Sequence, residues 1–323
     1  MGHTAPYRLR PESVQRVIEA ALTLVRELVH LKGETVKRLE KDAEKVPALL
    51  GLPLGHNSSF QQGPAFAPAL IRESMWCHST NSFTEKGIDL NDIRNLVDVG
   101  NLPIQELRDC GVDDKQLFDA ISSAVKIIYQ QKPLYPIVMG GDHSVTWPVV
   151  RGVVEAAGQP VDILHFDAHP DMYDCFEGNR YSHASGFARI MEDGLARNLL
   201  QVGIRSITGE GRAQAKKFGV RQFEMHSYED HREYLENLTL GEGCAGVYVS
   251  IDVDCLDPAY APGISHHEPG GMSFRDVMNV LHNLKGNIIG ADVVEYNPQR
   301  DRDSMTAMVA AKFVRELAAK MAK

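Results

Sequence analysis

Apolar side chains recur at Val14, Val17, Ile18, Ala21, Leu22, Val25 and Leu28, the i, i+3, i+4, i+7 spacing of a helix with one buried face. This pattern predicts a helix from Pro11 to about Lys45. Beyond it the periodicity changes. Short runs rich in Val and Ile, at 48–54, 96–99, 135–139, 161–166, 199–204, 247–253 and 288–294, alternate with helical patterns, and 304–321 reads as a closing helix. Alternation of this kind marks repeated strand and helix units around a parallel sheet. The runs are continuous rather than alternately polar and apolar, so helices are expected on both faces of the sheet. The fold class is therefore α/β, a three-layer αβα sandwich with a central, mostly parallel sheet of about eight strands.

No Pro, Gly or Ser-rich linker divides the chain, and no internal repeat is visible. A length of 323 residues suits one large α/β domain. We expect residues 1–46 to form an N-terminal helical extension and 47–323 a single catalytic domain. The net charge of -9 leaves no basic footprint for a phosphate backbone, which argues against nucleic acid. It modestly favours a cationic substrate. Five scattered cysteines without a C-x-x-C pair point to a reducing compartment and away from a zinc-thiolate site. No stretch approaches the roughly 18 apolar residues of a membrane span, so a soluble protein is expected. Arg8 and Arg10, with no acid before Glu12, read either as the remnant of a trimmed organelle transit segment or as ordinary sequence.

Polar clusters begin where the apolar runs stop: Gly140-Gly141-Asp142-His143-Ser144, Asp167-Ala168-His169-Pro170-Asp171, Gly203-Ile204-Arg205-Ser206, Asp252-Val253-Asp254 and Glu295-Tyr296-Asn297-Pro298. In an open parallel sheet, ligands bind outside the carboxyl ends of the strands. Alternate side chains of an extended segment share a side, so Asp167, His169 and Asp171 can converge, as can Asp252 and Asp254. With His143 they make four carboxylates and two imidazoles, a set that would repel itself without cations between its members. Oxygen donors with added imidazole and no thiolate favour manganese over magnesium, calcium or structural zinc. Two such ions can activate one water for hydrolysis. Among the remaining polar and aromatic residues, His165 reads as a satisfied core histidine, Asp142 and Ser144 as helix caps, Trp76 and Trp147 as packing, and Arg205 as structural or substrate-touching.

At these positions the chain resembles the ureohydrolases, the arginase and agmatinase family. The likeness rests on G-G-D-H-S at 140–144, D-A-H-x-D at 167–171, S-I-D-x-D-x-x-D-P at 250–258, and the A-P-G and E-P-G-G pieces at 261–263 and 268–271. Upstream, Gly51 to Asn57 and Gly63-Pro64 through Glu73 look like the family's first strand-helix segment. Within the family it is most similar to plant-type arginases, through 167–179, Y-S-H-A-S at 181–185 and G-A-D-V-V-E-Y-N-P-Q-R-D at 290–301.

The resemblance implies two Mn²⁺ per subunit, one on His143, Asp167, Asp171 and Asp252, the other on Asp167, His169, Asp252 and Asp254. It implies that a bridging hydroxide attacks the guanidinium carbon of L-arginine, yielding urea and L-ornithine. Asp171 would relay a proton to the leaving nitrogen, His183 would shuttle protons, and Glu295 would pair with the guanidinium. Tyr173, Asn179, His266 and His267 would complete the substrate site. A homotrimer or homohexamer is implied, in the mitochondrial matrix or alternatively the cytoplasm or plastid, serving arginine metabolism and polyamine biosynthesis. Two departures bear on substrate: Tyr173 stands where animal and bacterial arginases have Asn, as in agmatinases, and the loop after Asp254 reads G-I-S-H-H-E-P-G-G where G-T-G-T-P is common. Agmatine or another guanidino compound is thus the alternative substrate. Readings from other classes are a metal-binding homologue that no longer hydrolyses and a histone-deacetylase-like zinc amidohydrolase; the latter leaves the second set of carboxylates unexplained.

Overall fold

The computed structural model describes residues 10–39 and 42–322. Eight strands, β1 (Val46–Gly51), β2 (Val97–Asn101), β3 (Leu134–Met139), β4 (Val161–Phe166), β5 (Ala196–Ile204), β6 (Arg221–Glu224), β7 (Val247–Asp252) and β8 (Ile288–Val294), form one sheet. Their order is β2-β1-β3-β8-β7-β4-β5-β6, and every neighbouring pair is parallel. The sheet is thus wholly rather than mostly parallel.

Both faces are covered, as the unbroken apolar runs require. Val138, Ile163 and Tyr248 pack on one side beneath the helices Pro11–Leu39, Asp114–Gln130 and Thr146–Ala157. Leu164, Phe166, Val249 and Ile251 pack on the other beneath Ala67–Met75, Phe274–Asn283 and Met305–Met321. Each fully buried Leu, Ile or Val stabilises by about 1.5–3 kcal/mol relative to its exposed state. Capping boxes at Asp113 with Gln116 and at Ser273 with Asp276 start two of these helices, satisfying amide groups that have no helical partner.

Connectivity positions the site. The chain leaves β3, skips two places to lay down β4, and only later fills the gap with β7 and β8. The carboxyl ends of β3, β8, β7 and β4 therefore stand side by side at the centre of one sheet edge, where α/β sheets hold ligands.

Three expectations need correction. The first helix stops at Leu39, short of Lys45, whose ammonium instead donates to the Ile288 carbonyl at 2.9 Å and anchors the chain as it enters β1. Strand β6 has no counterpart among the predicted runs. Trp76 is no packing residue: it is 47% exposed at the end of its helix. Trp147 does pack, edge-on to Phe118, and its indole donates to Asp193. Arg8, half of the transit reading, lies outside the described residues. Among the described residues no helix is long and apolar enough to cross a membrane.

Candidate metal centre and active site

The turn after β3 admits only glycine at its second position. A Cβ on Gly141 would sit 1.6 Å from the Leu54 carbonyl oxygen, so backbone from two strand ends meets here directly. The Asp142 amide donates to that same oxygen and the Glu295 amide donates to the Gly141 carbonyl, which ties the β1, β3 and β8 ends together. His143 follows, fully buried.

The six residues singled out from spacing converge. His143 Nδ1 lies 3.1 Å from Asp167 Oδ2, 3.0 Å from Asp171 Oδ2 and 3.2 Å from Asp252 Oδ2. His169 Nδ1 lies 3.1 Å from Asp254 Oδ2 and 3.4 Å from Asp167 Oδ1. Asp167 thus turns one oxygen to each histidine. Asp171 reaches the cluster from a left-handed backbone conformation, φ 49°, and Glu295 from φ 64°. Non-glycine residues adopt that region at a cost, and such outliers gather at functional sites.

These residues fit a pair of divalent cations. Ligand atoms about 2.0–2.2 Å from an octahedral ion stand about 3 Å from one another, the separation seen here. His143 Nδ1 is buried without a hydrogen-bond partner although three carboxylate oxygens surround it. Its Nε2 is 2.9 Å from Ser250 Oγ, which donates to Asp292 at 2.6 Å, so Nε2 carries a proton. Burial would lower the ring, yet Asp167, Asp171 and Asp252 hold it well above the imidazole range, so Nδ1 calls for a positive charge between it and these carboxylates, a second proton or a metal cation. The same deficit appears in the titrations: burial, then the Asp254 and Asp167 charges, push Asp252 well above the carboxylate range. Burial alone would lower His169, yet the Asp254 and Asp167 carboxylates hold it well above the imidazole range.

His165, within reach of Asp167, is not a further ligand. Its Nε2 donates to Asp167 Oδ2 at 2.8 Å and Gln201 donates to its Nδ1 at 3.1 Å, while Phe187 stacks on the ring 3.9 Å away. It is the satisfied core histidine expected, and it also orients Asp167. Asp142 caps as expected, accepting from the Ser144 amide, and accepts from the Asn57 amide as well. Arg205 is structural: its guanidinium donates to the carbonyls of Asp254 at 2.8 Å, Leu256 at 3.1 Å and Glu268 at 2.8 Å, clamping two loops behind the cluster.

Beside the cluster lies a cavity of about 160 Å³ lined by His169, Asp171, Tyr173, His183, Asp252, Asp254, His266 and Glu295. Glu295 Oε1 accepts from the His143 amide and from His183 Nδ1, both at 2.8 Å, whereas the buried Oε2 has no partner. Burial would raise its carboxyl, but the His183 imidazole and the His143 amide hold it below the usual range. Burial would lower His183, but Glu295 draws it up to about 9. The Ser59 amide, 3.1 Å from His183 Nε2, can only donate, so it opposes a second proton on that ring. His266 tilts over His183 at the mouth, 5.3 Å between centroids.

Two expected substrate residues do not line this cavity. Asn179 donates to Asn57 and accepts from the Tyr181 amide, holding the loop that carries Ser59. His267 does not enter the cavity: its Nε2 lies 2.8 Å from the Pro262 carbonyl, just past a bend of the chain at 265–266. Conversely Ser59, Phe176, Ser206 and Thr208 line it without having been singled out as substrate residues. Of these, Ser206 ends the polar run after β5 and Phe176 lies in the 167–179 run that carries the family likeness, whereas Ser59 and Thr208 carried no signal.

The sequence model of the Arginase family matches residues 46–319. "Arginase 1, mitochondrial" of Arabidopsis thaliana is similar at 67% identity over 309 residues, covering 95% of this chain and 90% of its own. The solved arginase from Medicago truncatula superposes with a TM-score of 0.95 at 61% identity, covering 97% of this chain and 98% of that one. The agmatinase of Bacillus subtilis is 33% identical, covering 85% of this chain and 91% of its own. A central parallel sheet with paired His and Asp clusters at its carboxyl edge, matched along nearly its whole length, places this chain in the arginase family of ureohydrolase enzymes.

Proposed function

We propose that this enzyme hydrolyses L-arginine to urea and L-ornithine with two Mn²⁺ ions. The observation that carries the reading is Glu295, a buried carboxylate with one unpartnered oxygen, on the wall of the cavity that also exposes the His and Asp cluster. A carboxylate acceptor matches the planar, charged guanidinium group. His143, Asp167, Asp171 and Asp252 would hold one ion and Asp167, His169, Asp252 and Asp254 the other. Bound there, the ions would lower the pKa of water toward neutrality and neutralise the clustered carboxylates.

The chain's own residues do the rest. Glu295 Oε2 accepts guanidinium N–H groups and aims the carbon at the cluster. Asp171, at the boundary between cluster and cavity, hands a proton to the nitrogen that leaves as an amine when the carbon–nitrogen bond breaks. His183, its Nδ1–H held on Glu295, exchanges protons with solvent through Nε2 at the cavity mouth. Tyr173 and His266 line the path of the aliphatic chain.

The likeness to plant arginases supports arginine as substrate. Agmatine is the second reading, because the lining contains hydroxyls of Ser59, Tyr173, Ser206 and Thr208 but no Lys or Arg to meet a carboxylate. Urea release from arginine, agmatine and 4-guanidinobutyrate, measured after incubation with Mn²⁺, separates them: arginine is expected to turn over best, and turnover of agmatine without arginine would overturn the assignment. Relatives named mitochondrial support a mitochondrial matrix enzyme. A homotrimer or homohexamer is part of the same proposal, supported by the likeness to the arginase family. The family match beginning at residue 46 supports the division into an N-terminal extension and a catalytic domain.

A further inference from the structure

Five polar residues form one register row across the sheet. Gln222 of β6 pairs with Gln201 of β5, Gln201 with His165 of β4, His165 with Ser250 of β7, and Ser250 with Asp292 of β8. Partners in a parallel register share a face, here the one beneath the helix Thr146–Ala157, where the neighbouring strand positions are apolar. Polar groups inside a doubly covered parallel sheet are costly unless each is hydrogen-bonded. Each is, and the bonds run in two directions.

Gln222 donates to Gln201 at 2.8 Å, Gln201 to His165, and His165 to Asp167. On the other side His143 Nε2 meets Ser250 at 2.9 Å, and Ser250 donates to Asp292 Oδ1 at 2.6 Å. The row lies two residues before Asp167 and Asp252, one pleat beneath the clustered carboxylates. Each arm ends on a different member of the cluster.

The Asp292 arm is the more constrained. Its carboxylate is fully buried and receives three hydroxyl donors: Ser250 on Oδ1, and Tyr248 at 2.6 Å with Thr146 at 2.8 Å on Oδ2. An acceptor-only partner takes the one hydrogen of Ser250, so Ser250 can only accept from His143. That order fixes the ring's tautomer and its rotation. The sequence around it is built for the purpose: a Cβ on Gly290 would stand 3.0 Å from the Tyr248 ring, so glycine there leaves Tyr248 room to reach Asp292.

We propose that Ser250 and Asp292 are positioning residues for one of the two ion sites, holding His143 with its Nδ1 lone pair toward Asp167, Asp171 and Asp252. The inference rests on the two-ion reading above. Removing this support leaves His143 free to rotate or to protonate the wrong nitrogen, which weakens the ion it faces and spares the one facing His169.

The test is Mn²⁺ binding to the metal-stripped full chain by calorimetry, with the electron paramagnetic resonance signal of the loaded protein as a second readout. Wild type is expected to bind two ions per chain and to give the signal of a coupled pair. Ser250→Ala and Asp292→Asn are each expected to weaken one ion by about 10- to 100-fold, as loss of such outer hydrogen bonds does, with a signal moving toward isolated ions. Ser250→Thr, which keeps the hydroxyl, restores the pair. Tyr248→Phe removes a hydrogen bond from the same buried carboxylate without touching the route to His143, and is expected to lower thermal stability while retaining both ions. Should Ser250→Ala, folded by its melting curve, bind both ions as wild type does, or should Tyr248→Phe weaken one ion equally, the positioning role is overturned. If Ser250→Ala does not fold, Asp292→Asn decides by the same criterion, and loss of one ion in Ser250→Thr overturns the role of the hydroxyl. Wild type binding fewer than two ions overturns the underlying two-ion reading, and this proposal with it.

Discussion

Replacing Glu295 by Gln isolates the residue on which guanidinium recognition turns. The side chains are nearly isosteric, and Oε1 is committed to two donors, the His143 amide and His183 Nδ1, each at 2.8 Å. The amide oxygen of Gln must stay there to accept both. Its NH₂ group is then forced to the position of Oε2, the one oxygen without a partner, and meets the substrate N–H groups donor against donor. A charge-assisted hydrogen bond is lost, worth about 1.5–3 kcal/mol, and a buried cation is left without its counter-charge. Together these effects cost about 3–5 kcal/mol, roughly a 10²- to 10⁴-fold fall in kcat/KM. Metal content should not change, because Glu295 is outside the cluster, and the melting temperature should move little. Steady-state urea release with parallel metal analysis reads the effect. A fully metallated Glu295→Gln enzyme within about tenfold of wild type in kcat/KM would falsify the role assigned to this carboxylate.

Other consequences follow from the packing. Gly141→Ala drives a Cβ into the Leu54 carbonyl at 1.6 Å, and since both atoms belong to backbone no side chain can yield; inactive or unfolded protein is expected, and a folded, active variant would contradict the geometry. Arg205→Ala strips donors from the Asp254, Leu256 and Glu268 carbonyls and should lower unfolding free energy by about 2–4 kcal/mol in denaturant titration, with Arg205→Lys recovering only part. Equal stability of Arg205→Ala and wild type would show the clamp to be idle. Asp162 is buried, yet Arg197, the Gly241 amide and Asn198 hold its carboxyl below the usual 3.8. A depressed folded pKa adds stability above the unfolded value that is lost as pH falls through the folded one. Asp162→Asn should therefore melt below wild type at neutral pH, with the gap closing as pH drops beneath 3.8; a gap that widens on acidification would reverse the assignment.

The sheet was legible where strands lie in the middle of it. β4 and β8 are continuous apolar runs with both faces buried, and their predicted bounds coincide with the observed ones. β6 was not, because at the sheet edge only Phe223 of Arg221-Gln222-Phe223-Glu224 is buried, and one apolar residue in four makes no pattern. The members of the His and Asp cluster were legible because each polar run follows directly on an apolar strand, but the extended backbone expected there is not what gathers them: Asp254 stands in a 3-10 turn, the chain bends at 168–169, and Asp171 takes a left-handed conformation. Positions joined only through the fold were not. Asp292 sits in a run read simply as strand, and its partnership with Ser250 exists only through the register of β7 on β8. Ser59 reaches His183 from a loop more than a hundred positions earlier, so no spacing could have linked them. His266 and His267 were indistinguishable as sequence; the local backbone sends one into the cavity and the other to the surface.

The central claim is that water attacks a guanidinium carbon bound between Glu295 and the His and Asp cluster. Reaction of L-arginine with the Mn²⁺-incubated protein in water enriched in heavy oxygen, with products analysed by mass spectrometry, tests it most directly. The account predicts ornithine without the label and urea carrying one heavy oxygen. Citrulline with ammonia, or no urea from arginine under these conditions, would contradict it.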